Sequence, residues 1–250
     1  MTDTGHHKVA FVTGAASGIG RASAEALIRR GYATVLADVD EQAGQTVQAE
    51  LAALGECSFV RCDVTDDDAV RAAIAHAVDT YGRLDAAFNA AGIDGEHGRA
   101  VADSSMENWN RVLAVDLTGT YSCMRHELPA IVASGGGSIV NCASVAGLRA
   151  AATVSAYTAA KHGVVGLTKA AAVEYGRAGV RVNAICPGTV DTPMFRTSMA
   201  PALIERLIRT SPVGRLADAT EIAEVVVWLC DEAPGFLTGQ AVAVDGGTTA

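Results

Sequence analysis

Lys8-Val9-Ala10-Phe11-Val12 runs directly into Thr13-Gly14-Ala15-Ala16-Ser17-Gly18-Ile19-Gly20, and the reading of that junction decides the fold. The first five residues form a short, mostly apolar run bounded by glycine, which predicts a buried parallel strand. A helical stretch from Arg21 to Arg30 follows the glycines and is closed by Gly31. Strand, glycine-rich turn and helix is the setting in which backbone N–H groups and the positive end of a helix dipole cradle a phosphate. The spacing differs from GxGxxG, and taken alone an ordinary turn is an alternative reading.

Outward from that junction, strand and helix signals alternate along the chain. Strands are predicted at Val9 to Val12, Ala33 to Asp38, Ser58 to Cys62, Leu84 to Asn89, Ser138 to Ala143, Arg181 to Cys186 and Ala241 to Val244, with helices in the gaps. Such alternation implies a parallel sheet covered on both faces. The expected fold is α/β, a Rossmann-type doubly wound sheet of about seven strands, with residues 1–250 as one domain carrying every site. Asp40 opens one helix that Gly55 closes, and Thr65-Asp66-Asp67-Asp68 reads as an N-cap rather than a metal site.

Composition narrows the class. Half of the 250 residues are hydrophobic, but charged side chains interrupt every long stretch, so no membrane span is predicted. A net charge of −9 argues against a nucleic-acid surface. Met1 to Lys8 is short and polar, without the apolar core of a signal peptide, and cytoplasm is the expected location. Cys57, Cys62, Cys123, Cys142, Cys186 and Cys230 form no CxxC pair and read as buried free thiols; no metal site is expected.

Chemistry is concentrated in Tyr157-Thr158-Ala159-Ala160-Lys161. Residues four apart on a helix share a face, so a phenol and an ammonium address one small volume. A tyrosine titrates near ~10 in water, and an adjacent ammonium favours the phenolate, bringing it toward a useful acid/base range. Ser144, from another segment, is placed to hydrogen-bond the oxygen of an alcohol or carbonyl. A packing tyrosine beside a solvated lysine is the bland alternative.

Together these motifs resemble the short-chain dehydrogenase/reductase family in its compact form. The resemblance covers nearly the whole chain, in order: TGxxxGIG at Thr13 to Gly20, Asp63-Val64, Asn89-Ala90-Ala91-Gly92, Ser144, Tyr157 with Lys161, Pro187-Gly188 followed by Thr192, and Asp245-Gly246-Gly247. One position departs from the pattern. The family usually has Asn where this chain has Asp116, in Val115-Asp116-Leu117-Thr118-Gly119. In the family that residue's backbone carbonyl holds a water linked to the lysine, so Asp116 joins Ser144, Tyr157 and Lys161 as the implied catalytic set.

The resemblance also implies a cofactor site. Gly14, Ser17, Gly18, Ile19 and Gly20 would take the pyrophosphate, Asp63 and Val64 the adenine, and Asn89, Ala90 and Gly92 the midsection. Pro187, Gly188, Val190 and Thr192 would flank the carboxamide, and Tyr157 and Lys161 would touch the nicotinamide ribose. Asp38 stands about twenty residues after the turn, where a carboxylate binds a ribose hydroxyl pair and repels a 2′-phosphate, so NAD is expected over NADP. Asp38 as a mere helix cap is less apt, because Asp40 is better placed to cap.

For the substrate, the resemblance points to the loop after Asn89, the stretch between Ser144 and Tyr157, and Pro193 to Ser211. Ile93, Val145, Leu148, Val154, Met194, Phe195 and Met199 make that set mostly apolar, which favours a small cyclic or lipophilic secondary alcohol or ketone. Asp94, Glu96, His97 and Arg99 read as a solvated surface loop; His6 and His7 lie outside any motif. A reductase of carrier-linked 3-oxoacyl thioesters and a non-catalytic dinucleotide sensor are the competing readings. Small-residue patches such as Ala170 to Ala172 on the tyrosine-bearing helix, with the resemblance, imply a homotetramer.

Overall fold

The computed structural model describes residues 7–250; Met1 to His6, most of the polar N-terminus and His6 with it, lie outside the described residues. The strands are β1 (Val9–Thr13), β2 (Ala33–Asp38), β3 (Cys57–Arg61), β4 (Ala86–Asn89), β5 (Gly137–Cys142), β6 (Val180–Pro187) and β7 (Ala241–Val244). All pair in parallel, in the order β3-β2-β1-β4-β5-β6-β7. The chain winds outward from β1 to β3, then returns to β4 on the other side of β1. That reversal opens a crevice beyond the carboxyl ends of β1 and β4, the place where open α/β sheets bind ligands.

Helices cover both faces: α1 (Gly18–Arg29), α2 (Glu41–Leu51), α3 (Asp67–Tyr81), α4 (Met106–Val112), α5 (Thr120–Ala133), α6 (Ser155–Tyr175), α7 (Pro193–Ser198), α8 (Pro201–Thr210) and α9 (Ala219–Asp231). Successive strand residues point to opposite faces, so β1 sends Val9 and Phe11 to one core and Ala10 and Val12 to the other. The first core packs α3, α5 and the end of α6; the second packs α1, α2 and α9. The predicted strands are all present, two with the same ends and the others with ends shifted by at most two residues. Between α4 and α5 the helix widens into a π turn, Leu113–Gly119, that carries Asp116. No helix among the described residues is long and apolar enough to cross a membrane, and all six cysteines are free thiols.

Candidate active site

The site grows from the carboxyl edge of the sheet, where Thr13 ends β1 directly beside Asn89 at the end of β4. Thr13 Oγ1 accepts the N–H groups of Ala90 and Ala91 at 3.0 and 3.1 Å, which pins the two turns together. Gly14 has φ +64, and a Cβ at Gly20 would stand 2.1 Å from the Gly14 carbonyl oxygen, so the turn closes this tightly only with glycine at both positions. Ser17 is the N-cap of α1, yet no side chain caps the helix and its first turn carries no acid. The leading N–H groups of α1 are thereby left to an anion from outside, and the residues present fit a dinucleotide pyrophosphate.

Asp38 ends β2 at the rim of that turn. Its Oδ2 accepts the Ala16 N–H at 2.9 Å and its Oδ1 the Asp40 N–H at 3.0 Å. Asp40, as expected, caps α2 by accepting from Ala43 N–H at 3.0 Å. Asp38 therefore couples the glycine turn to the start of α2. On the far side Thr192 caps α7, its hydroxyl accepting from Phe195 N–H at 3.2 Å, and a Cβ at Gly18 would meet its methyl at 3.3 Å. Val190 is buried and bridges to Ala217, and Gly188 donates its N–H to Val244 at 3.0 Å, so Pro187 to Thr192 leaves the sheet in a fixed path.

The acid/base group assembles one strand further on. Ser144 follows β5 and accepts the Ala146 N–H at 3.1 Å, leaving its own hydroxyl proton free to donate. Tyr157 and Lys161 share one face of α6, with the ammonium 5.3 Å from the centre of the phenol ring. Lys161 donates to the Cys142 carbonyl at 3.0 Å and lies 3.2 Å from Asp116 Oδ2. Ile93, Leu117 and Tyr157 all pack against the buried Val112, Ala156 and Ala160, so the loop after β4 and the tyrosine share one small cluster.

The electrostatics differ from the simplest expectation. Burial pushes the Tyr157 phenol up to about 12; Lys161 pulls it down, Asp116 and Cys142 push it further up, and a hydrogen bond with Ser144 lowers it. Burial works against the Lys161 ammonium, but Asp116, Tyr157 and Cys142 together raise it above its ordinary value. The lysine stays charged. Lys161 favours the phenolate, as its place one turn from Tyr157 implied, and burial is the larger influence.

Comparison with known proteins agrees with this geometry. The sequence model of a family described as enoyl-(acyl carrier protein) reductase matches residues 14–249, from the glycine turn almost to the last residue. A cyclohexanol dehydrogenase of Acinetobacter sp. (strain SE19) is 41% identical over 250 residues, covering 100% of this chain and 98% of the relative. The chain belongs to the short-chain dehydrogenase/reductase family. Among solved structures, a levodione reductase superposes with TM-score 0.93 at 36% identity, covering 96% of each chain. An actinorhodin polyketide ketoreductase variant with NADPH gives 0.92 at 35% identity, covering 97% of each. This short-chain dehydrogenase/reductase is thus an oxidoreductase of alcohol groups whose fold binds a nicotinamide dinucleotide.

The other residues of the implied cofactor site make contacts of their own. Ala90 and Gly92 border the crevice, but the Asn89 side chain turns inward, donating to Glu127 Oε2 and Asn141 Oδ1 at 3.0 Å each. Asp63 uses one oxygen on the Thr65 N–H and hydroxyl at 2.9 and 2.7 Å, and Val64 packs against the π turn at Gly119. In the Asp66 to Asp68 run, Asp66 caps α3, while Asp67 holds Ser122, Arg125 and His126 of α5.

The loop of Asp94, Glu96 and His97 is not the solvated surface that its polarity implied. Asp94 Oδ2 accepts from Ser198 Oγ at 2.8 Å, tying the loop to the end of α7. Asn108 Oδ1 accepts the Glu96 N–H at 2.8 Å, and all three side chains are partly buried. Glu127 was not singled out from sequence either. Its only signal was an acid among apolar positions of a core-facing helix.

Proposed function

We propose that this chain interconverts a small, cyclic or otherwise lipophilic secondary alcohol and its ketone, with NAD as the hydride partner. The convergence of Ser144, Tyr157 and Lys161 beside the uncapped N-terminus of α1 carries the reading. A bound nicotinamide supplies the hydride acceptor or donor. Everything else falls to side chains: Ser144 donates to the substrate oxygen, and Tyr157 takes the hydroxyl proton in oxidation and returns it in reduction. Lys161 holds positive charge beside the phenol, and the charge of oxidised cofactor adds to the same field, so the phenol is most acidic in the loaded enzyme.

NAD rather than NADP is supported by Asp38, whose carboxylate sits at the rim of the glycine turn with no cation next to it at Val39. A cyclic substrate is supported by the apolar character of Ile93, Leu148, Met194 and Phe195, in the segments expected to line the pocket, and by the similarity to a cyclohexanol dehydrogenase. Carrier-linked 3-oxoacyl thioesters form a second reading, favoured by the likeness to a polyketide ketoreductase. Asp38 and the net charge of −9 weigh against it, since that class calls for the phosphorylated cofactor and a basic docking patch. The intact acid/base group disfavours a dinucleotide sensor.

We further place cofactor and substrate sites on one domain spanning residues 1–250, working as a homotetramer in the cytoplasm. Six unpaired thiols suit a reducing compartment. An apolar groove between the π turn and α6, lined by Leu117, Tyr121, Gly163, Gly166, Leu167 and Ala170, suits pairing with a second copy. A screen of cyclic alcohols, ketones, sugars and acyl thioesters with both cofactors tests the reading. Turnover of cyclic alcohols with NAD is the expected result, and turnover confined to thioesters with NADPH overturns it. Light scattering at micromolar concentration checks the assembly, and a monomer would contradict it.

A further inference from the structure

Asp116 is the position at which this chain departs from the family pattern, and its carboxylate reaches in two directions. The π turn that carries it inserts an extra residue into the helix, a distortion frequent at functional sites. Asp116 is fully buried. Its Oδ1 accepts the Ile93 N–H at 2.9 Å, and its Oδ2 lies 3.2 Å from Lys161 Nζ. Gly92 leaves the pair its space, because a Cβ there would stand 3.3 Å from Oδ2 and 3.4 Å from Nζ. The backbone carbonyl of Asp116 is engaged separately, accepting the Thr120 hydroxyl at 2.8 Å.

An ion pair this deep cannot lean on water, so each partner depends on the other. An ionised carboxylate beside Lys161 favours the charged ammonium and cancels part of its field at the phenol. The groups facing the pair of Asp116 and Lys161 are Tyr157 from α6, Cys142 from β5 and Asp94 from the loop after β4. Asp94 has the same sign as Asp116 and pushes its neighbour in the same direction as burial does, while Lys161 and the Ile93 N–H hold the carboxylate down.

We propose that Asp116 is a positioning residue that acts through Lys161: its carboxylate keeps the ammonium charged, moderates its pull on Tyr157, and ties the loop at Ile93 to the catalytic lysine. The proposal rests on the dehydrogenase reading above. It differs from a role for the backbone alone, because it assigns the effect to the charge of the side chain.

Asp116→Asn separates the two duties, since the amide oxygen still accepts from Ile93 while the negative charge is gone. Removing a negative charge lowers the pKa of both neighbours. In the pH profile of kcat/KM for oxidation, the rising limb set by Tyr157 moves to lower pH, by about one unit. Asp116→Ala also releases the loop and raises KM severalfold. Profiles of the Asn variant that overlay the wild type, or move to higher pH, overturn the proposal.

A second measurement needs neither substrate nor variant. Lys161 is one of three lysines, with Lys8 and Lys169, so 13Cε NMR resolves its titration. In the wild type Lys161 should hold its proton to higher pH than the other two. A Lys161 that titrates below them overturns the proposal even if Asp116→Asn does not fold. An enzyme that turns over no alcohol defeats the dehydrogenase reading instead, and the NMR titration still decides Asp116.

Discussion

Asn89 and Glu127 meet in the dry interior, the Nδ2 of Asn89 donating to Glu127 Oε2 at 3.0 Å where β4 ends and the cofactor crevice begins. The same amide donates to Asn141 Oδ1 at 3.0 Å, and Asn141 in turn donates to Thr168 Oγ1 on α6 at 2.9 Å. Strand ends, α5 and the catalytic helix are thus joined by one chain of polar contacts.

This chain of contacts gives stability a pH dependence. Burial pushes Glu127 up to about 8 from an ordinary 4.5, with the Asn89 bond only partly offsetting it. A carboxyl whose folded pKa is raised contributes its full stability below the unfolded value and loses it as pH climbs through the folded value. The melting temperature is therefore expected to fall between about pH 5 and about pH 9, by an amount corresponding to a few kcal/mol. Glu127→Gln keeps the shape and an acceptor for Asn89 but does not titrate. Calorimetry across that range should show a flatter curve for the variant and a more stable variant at the alkaline end; parallel curves would refute the assignment.

Tyr157→Phe removes the phenol one turn from Lys161 on α6 and leaves the ring in place. The variant should bind NAD nearly as well as the parent while kcat drops by ~10² or more, the scale of a lost general acid or base. Lys161→Ala should harm both turnover and cofactor affinity, because the ammonium also organises Cys142 and Asp116. Stopped-flow turnover together with cofactor fluorescence titration separates the two effects. Near-normal kcat in the Phe variant would move the proton chemistry elsewhere.

The frame of the site was legible in sequence because it is written in backbone-demanding residues. Gly14 and Gly20 must be glycine for the turn to close, and Tyr157 and Lys161 share a face by helical spacing alone. Long-range pairings were not legible. Nothing in the order of residues shows that Asp94 meets Ser198, 104 positions away, or that Asn89 turns from the crevice toward Glu127. Likewise, the spacing of Tyr157 and Lys161 says nothing about burial, which is the largest influence on the phenol.

The proposed preference for NAD rests on Asp38. The intact enzyme should favour NAD over NADP by at least about tenfold in kcat/KM, equivalent to about 1.4 kcal/mol. Asp38→Ala should narrow that gap. It should also weaken NAD itself, since the side chain accepts from Ala16 and so braces the glycine turn. Steady-state kinetics with both cofactors reads both effects, and a wild type that prefers NADP would mean that the carboxylate does not face the ribose.

Ser198 is the latch of the α7 segment. Thr192, at one end of this helix, lies against the glycine turn at Gly18, and Ser198 at the other end holds Asp94, the neighbour of Ile93 on the loop after β4. The short helix therefore links the glycine turn to the loop after β4. An exposed-to-half-buried hydrogen bond of this kind contributes roughly 1 kcal/mol net. Ser198→Ala should consequently raise KM for the alcohol by about fivefold, the same roughly 1 kcal/mol expressed as a ratio, while leaving kcat and the affinity for NAD close to the parent values. Asp94→Asn, which keeps an oxygen for Ser198, should show a smaller rise. The two variants together distinguish a latch from a charge effect: a larger defect in Asp94→Asn than in Ser198→Ala would assign the role of Asp94 to its charge and not to the hydrogen bond.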